Sequence, residues 1–391
     1  MRSRSKLMAV GAAITVAGLN LALITPASAD VAPNSRDIVG VGSDTVQNIA
    51  NFMADGDPTG ASSGVNSANP VSRVFSFDAT PDANDRAGYA NGSTLVAPIK
   101  LNPTIVLRAG TSPVQRPNGS GAGINALIAD TPAAEAAGAP HIDFVRMSRL
   151  PDPSTGEQSS PIGPLRVIKI STDNLVMAGA TVTHAPTSLS IATIVQIYKC
   201  TVTDWSAVTG SSGAGLIVPV WPQAGSGTGK SFLADLQAGN GGVAFTPGTC
   251  AHQVEENDPT AINTIDTIAP MSEGRFNMYA ATWSPTGGYF HNPAPVYPGG
   301  VALASGIQLL NAAGSWSENR GLYIVFRNSD VTSTTKFQSG GNLNYVEALF
   351  YNPANPTGPY AAGGDAAGAI AAGGAVPAYK NCGSGTAVTN C

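Results

Sequence analysis

An α/β fold with mainly parallel sheets, divided into two lobes, is what this chain predicts. Short apolar runs of strand length alternate with stretches of helical period, the alternation expected when parallel strands are joined through helices. Three Gly/Ser/Thr-rich turns stand where an apolar run gives way to a helical one. They are Gly42-Ser43-Asp44-Thr45, Asn118-Gly119-Ser120-Gly121-Ala122-Gly123 and Ala224-Gly225-Ser226-Gly227-Thr228-Gly229. Length is the third observation, since 391 residues bury a large core and divide into two lobes.

The elements follow in order. Asp37 to Val41 reads as a short buried strand, and Asp44 caps a helix with Gln47 three residues on. Val46, Ile49, Ala50 and Met53 then fall at helical spacing. Residues 54–92 are rich in Gly, Ser, Asn, Asp and Pro and predict long surface loops. Ile105-Val106-Leu107 is a strand, and beyond the second turn Ile124, Leu127 and Ile128 share a helical face. Phe144 to Arg149 is a short strand, followed by a connector carrying Pro151, Pro153, Pro161 and Pro164. Leu165 to Ile170 and Asn174 to Met177 read as two further strands.

Ile191, Ile194, Val195 and Tyr198 make an amphipathic helix before Thr203-Asp204-Trp205. Leu216 to Trp221 is a strand leading to the third turn and to a helix with Phe232, Leu233 and Leu236. Gly321 to Arg327 is the last clear strand. Tyr360 to Val376, rich in Ala and Gly, reads as a loose surface segment.

Residues 1–29 have the form of an export signal. Arg2, Arg4 and Lys6 precede an apolar stretch, and Ala27-Ser28-Ala29 fits a signal-peptidase site before Asp30. No cysteine stands at the cleavage point, so no lipid anchor is expected, nor is membrane insertion of the mature chain. The whole chain has 20 basic and 25 acidic residues; losing those three basic groups takes the net charge from −5 to −8. An acidic chain without basic runs argues against nucleic acid and anionic membranes as partners. Four cysteines in an exported chain favour two disulfides, with three connectivities open. Cys382 with Cys391 closes a short glycine-containing loop, which leaves Cys200 with Cys250.

The three turns share one physical property. Glycines let backbone approach a ligand, hydroxyls donate, and helix starts present unpaired N–H groups with partial positive charge. Several such ends converging would hold an anion. Ala224 to Ser231 approaches the P-loop pattern, but Ala224 replaces its first glycine and an exported chain meets little ATP. Ser120 and Ser226 lack the G-x-S-x-G setting of a hydrolase nucleophile. His141, His184, His252 and His291 are scattered, and no catalytic set emerges. Asp78, Asp82, Asn84 and Asp85 do not have EF-hand spacing, and His252 with Glu255, Glu256 and Asp258 reads as a polar loop. Trp205, Trp221, Trp283 and Trp316 read as core or rim residues. No metal, cofactor or catalytic residue is expected.

Taken together, Gly40 to Thr45, Gly119 to Ile124, Asp143-Phe144 through Ser148-Arg149, Ile191 to Trp205, and Gly225 to Thr228 occur in an order that resembles the type II periplasmic binding proteins. Within them the match is to the phosphate-binding, PstS-like branch that serves ABC importers, over roughly residues 37–330. The resemblance implies two α/β lobes joined by crossover strands, with ligand enclosed by hinge closure. Residues 30–165 would begin the first lobe, 166–319 form the second, and 320–391 return to the first. It also implies a monomer that takes phosphate or a related oxyanion to an ABC importer permease. The alternatives are a secreted module of the same fold uncoupled from transport, and a phosphatase.

The oxyanion contacts implied are Ser43, Asp44, Thr45, Ser120, Gly121, Ser148, Arg149, Ser226, Gly227 and Thr228. Two departures stand out. Pro222 replaces the arginine that the branch has three residues before its G-S-G-T turn, and Arg149 stands where it often has an aspartate. These departures suggest an exchange of charges, with Arg149 as the cationic anchor and Asp44 as acceptor of a ligand proton; the alternative is that Asp44 is only a helix N-cap and Arg149 a surface ion-pair partner.

Overall fold

The computed structural model describes residues 32–34, 36–57, 60, 62–68, 73–79, 104–131, 142–158, 163–280, 306–331, 349–351, 366–385, 388 and 391. The signal-like residues 1–29, and Asp82, Asn84 and Asp85, lie outside them. In chain order the elements are β1 (Ile38–Gly42), α1 (Asp44–Asp55), α2 (Val65–Ala68), β2 (Val74–Ser76), β3 (Thr104–Ile105), β4 (Val114–Gln115) and α3 (Ser120–Ala129). Next come β5 (Phe144–Met147), β6 (Leu165–Ala180), α4 (Ile191–Tyr198), β7 (Val218–Pro222), α5 (Gly227–Gly239), β8 (His252–Val254) and β9 (Thr267–Ser272). The remainder are α6 (Glu273–Ala280), β10 (Ile307–Leu309), β11 (Ser317–Arg327), α7 (Ala366–Ala372) and β12 (Val376–Ser384).

One ten-stranded sheet runs β2-β1-β5-β11-β6-β9-β7-β8, with β10 and β12 also paired to β6. Each end is a parallel wing: β1 pairs with β2 and β5, and β7 pairs with β8 and β9. Every antiparallel pairing in this sheet involves β6 or β11. These two long strands, of 16 and 11 residues, cross from one wing to the other. The polar Ser171-Thr172-Asp173 suggested a break after Ile170, yet β6 passes straight through it. Its backbone is paired to β11 from Leu165 to Val176. On the opposite edge β12 partners end at Thr172 and β9 partners begin at Leu175.

Both faces of each wing are covered, which is why these strands are apolar almost throughout. Alternate residues go to opposite faces. In the first wing Ile38, Phe144, Ile168, Ile170, Ile324 and Phe326 pack against Ile49 and Phe52 of α1. Val39, Val41, Val145, Val167 and Val325 pack against Ile124 and Leu127 of α3. In the second wing Leu175 and Met177 join Ile194, Tyr198, Trp205 and Phe232.

Two segments differ from the sequence expectation. The described part of 54–92 includes α2, and β2 extends the sheet by pairing with β1. The described part of the alanine-rich tail forms regular structure: Ala366 to Ala372 is helical, with Ala369 and Ile370 buried in the α1 core, and β12 then pairs with β6. Alanine is the best helix former and lets helices pack closely, but it contributes little to an apolar periodicity, so the segment reads as loose. Both cysteine pairs are joined, with Cα separations of 5.9 Å for Cys200–Cys250 and 5.5 Å for Cys382–Cys391. No described helix is long and apolar enough to cross a membrane.

Candidate functional site: an anion cradle between the wings

The first turn sits at the carboxyl end of β1, where open α/β sheets bind ligands. Gly42 has φ +114°, and a Cβ there would lie 2.5 Å from the Arg146 carbonyl oxygen. Ser43 N donates to that carbonyl at 2.9 Å, and α1 starts at Asp44. Beneath the turn Arg146 is fully buried, donating from Nη2 to the Gly42 and Phe77 carbonyls, from Nε to that of Ser43 and from Nη1 to Ser76 Oγ. Burial lowers its pKa to about 10, while Asp78 and Asp44 oppose the shift. Arg146 thus fixes the turn from behind.

The second and third turns touch. Gly121 N donates to the Gly225 carbonyl at 2.8 Å. A Cβ on Gly119, where φ is +94°, would lie 2.5 Å from that same oxygen. Gly119→Ala is therefore expected to cost about 1–3 kcal/mol by backbone strain and collision. Urea unfolding checks this; an unchanged midpoint would show that the contact is loose. Gly227 is equally confined, since its Cβ would stand 2.2 Å from Ser120 Oγ and 2.5 Å from Ser148 Oγ. Those two hydroxyls lie 3.2 Å apart, and Ser148 N donates to Ser120 Oγ. Ser226 caps α5 by accepting from Gly229 N at 2.9 Å.

The hydroxyls of Thr45, Ser226 and Thr228 converge on the carboxylate of Glu256. Thr45 Oγ1 and Thr228 Oγ1 donate to its Oε1, and Ser226 Oγ donates to its Oε2, each at 2.6 Å. The two threonine oxygens are 3.2 Å apart. Glu256 is fully buried. Its own backbone is held by Glu256 N donating to Gln223 Oε1 at 2.8 Å. Next to it Asn257, at φ 55°, donates from Nδ2 to Asp44 Oδ1 and Thr45 Oγ1 and accepts from Ser272 N. On the other side Asn118 Nδ2 donates to Glu255 Oε2 at 2.9 Å.

Among the described residues Arg320 is a cation that reaches this cluster. Its Nη1 donates to Thr228 Oγ1 at 2.7 Å, while Nη2 and Nε donate to Asp173 Oδ2 at 3.0 and 3.3 Å. Arg320 and Asp173 are register partners across β11 and β6. Asp173 Oδ1 also accepts from Ser272 Oγ and Gly274 N, so it ties both crossover strands to the second wing.

Thr45, Ser226 and Thr228 thus gather on one carboxylate, and Ser120, Gly121 and Ser148 adjoin the third turn through Gly225 and Gly227. Ser43 Oγ is buried without a hydrogen-bond partner. Asp44 is taken up by Asn257 and faces Arg275 Nη2 at 3.6 Å. Arg149 is hydrogen-bonded to other groups, the Leu150 carbonyl among them. It grips Glu157 through Nη1 and Nη2 at 2.6 and 2.8 Å, beside Gly121. Sequence reasoning missed Glu256, Arg320, Asn257 and Asp173. The available signal was polarity out of place: Asp173 and Arg320 are charged residues within crossover strands, and Glu255-Glu256-Asn257-Asp258 is buried throughout.

Other chemistries find little support in this geometry. Ser226 donates to Glu256, Ser120 bonds within the Ser148 pair, and among the described residues neither is hydrogen-bonded to a histidine. Lys230 of the P-loop-like stretch turns outward to Asp152 Oδ2 at 2.5 Å. Among the described residues no cluster is arranged to hold a metal.

Two parallel wings and two long crossover strands, with a buried polar cluster drawn from both wings, define a two-lobed type II binding-protein architecture. The chain belongs to the PBP superfamily, whose domain profile matches residues 102–337. A phosphate ABC transporter substrate-binding protein from Clostridium perfringens, solved with bound phosphate, superposes with TM-score 0.50 at 12% identity, over 88% of this chain and 99% of that one. At that identity the likeness is one of fold. A high-affinity periplasmic phosphate-binding protein gives TM-score 0.46 at 16% identity, covering 87% of this chain and 90% of its own. An ABC-type phosphate transport receptor from Vibrio cholerae gives 0.41 at 17%, covering 77% and 90%. No curated protein sequence matches the chain.

Proposed function

We propose that this protein is an exported, non-catalytic receptor that encloses phosphate or a related oxyanion between its lobes for an ABC importer permease. The observation that carries the reading is the convergence of three hydroxyl donors, from both wings, on one oxyanion-shaped group, the Glu256 carboxylate. Thr45, Ser226 and Thr228 would turn those donors to the ligand, with Ser43, Ser120, Gly121, Ser148 and Gly227 lining the same crevice. Arg320, already in contact with Thr228, takes the anchoring part that the sequence assigned to Arg149. Asp44, held by Asn257 and facing Arg275, serves as a buttress of the first turn. The phosphate-binding proteins of the same fold support the choice of ligand class, and family membership supports binding over turnover. The lobe boundary would fall within β6, with hinge closure about β6 and β11.

Native mass spectrometry and isothermal titration with phosphate and sulfate test the reading. Thr228→Val, which removes a hydroxyl while keeping shape, is expected to weaken phosphate binding roughly 10- to 100-fold, the worth of a hydrogen bond to a charged group. Absence of any bound or titratable oxyanion would overturn the proposal. Turnover of a chromogenic phosphate ester would favour the phosphatase instead.

A further inference from the structure

We propose that Glu256 is a built-in stand-in for the ligand, a carboxylate that occupies the cradle and that an incoming oxyanion must displace. The inference rests on the oxyanion reading above and concerns how that site is regulated. Three facts lead to it. Glu256 satisfies the very hydroxyls that would otherwise hold the ligand, at 2.6 Å each. Those donors come from both wings, so the side chain bridges the α1 and α5 starts as a bound anion would. The turns already touch, with Gly121 N on the Gly225 carbonyl, so the lobes are drawn together around a group belonging to the chain itself.

Each donor hydroxyl has one proton to give. While Thr45, Ser226 and Thr228 donate to Glu256, they have none left for another acceptor. Two anions sharing the cradle would also repel at short range in a buried, weakly screened site. Ligand and Glu256 therefore exclude one another. The exchange asks for side-chain torsions rather than backbone movement, because Gln223 and Ser272 pin the backbone and side chain around Glu256 and Asn257 from outside the cluster. Arg320 keeps its place against Thr228 and Asp173 and remains to meet the arriving charge. Apparent affinity is then the intrinsic affinity reduced by the fraction of molecules with Glu256 turned away. In the empty state the cleft avoids three orphaned buried hydroxyls.

The test is isothermal titration of inorganic phosphate into the purified wild-type protein, Glu256→Ala and Glu256→Gln. Glu256→Ala is expected to bind at least about tenfold more tightly, since the competing population is gone. Glu256→Gln, equal in size but neutral, is expected to bind more tightly than wild type and serves as the reading should the alanine variant fail to fold. In thermal unfolding, phosphate should raise the midpoint of either variant by more than it raises the wild type's. Wild-type binding accompanied by equal or weaker binding in both folded variants overturns the stand-in role alone and makes Glu256 a ligand contact or a structural group. If neither wild type nor variants bind phosphate, the oxyanion reading falls and this inference with it.

Discussion

Arg320→Met is expected to lower both stability and phosphate affinity more than any other single change in the cleft. Its guanidinium is almost wholly buried, shared between Asp173 and Thr228. Methionine fills much of the volume but leaves the Asp173 carboxylate buried without its counter-ion, a loss of about 3–5 kcal/mol. The same change removes the cation nearest the hydroxyl cluster, so phosphate affinity should fall on the order of 100-fold. The two effects separate in a double-variant cycle. Adding Asp173→Asn removes the stranded charge, so urea unfolding should recover much of the lost stability while titration shows affinity still low. A single variant that unfolds within 1 kcal/mol of wild type would mean that water already reaches Asp173.

Opening the Cys200–Cys250 bridge should produce the second large effect. The pair closes a loop with sequence separation 50, and the chain-entropy estimate for such a loop is about 4 kcal/mol. The loop contains β7, the third turn and α5, and Tyr198 within the same core donates to the Val220 carbonyl at 2.6 Å. A double Cys200→Ala, Cys250→Ala variant is therefore expected to unfold at much lower urea, with saturating phosphate restoring part of the difference by mass action. Reducing agent acting on the wild type should move its midpoint in the same direction. An unaltered midpoint in the variant would show that the second wing is held by packing alone.

The fold was readable where periodicity and polarity agree. β1 ends at a glycine, α3, α4 and α5 begin after glycine or serine caps, and all appear close to where the apolar pattern puts them. Reading failed where composition hides contact. α7 is built from alanines whose burial depends on Ile49 of α1, a partner more than 300 positions away in the sequence that no local pattern reports. β6 seemed broken because Ser171-Thr172-Asp173 interrupts an apolar run; Asp173 is satisfied across strands by Arg320 and Ser272, which only the register reveals. The donor turns of the cradle were legible because hydroxyls at helix starts have a local signature. Glu256 and Arg320 were not, since an acid in a polar loop and a base in a strand acquire meaning only from what faces them. Arg149 shows the converse: its position follows the resemblance, yet Glu157, eight residues on, claims its guanidinium.

The gap in pairing along one edge of β6 has a mechanical consequence. Between the last β12 contact at Thr172 and the first β9 contact at Leu175, Asp173 and Asn174 have no ladder partner on this edge among the described residues. Bending is cheapest where fewest ladder bonds must stretch, so the hinge closure proposed above would have its fulcrum at these two residues. Asp173 also grips Arg320, which touches Thr228 at the ligand seat. On the proposed reading pivot and grip are one linkage, and swinging the jaws open would tug directly on the arginine assigned to hold the cargo.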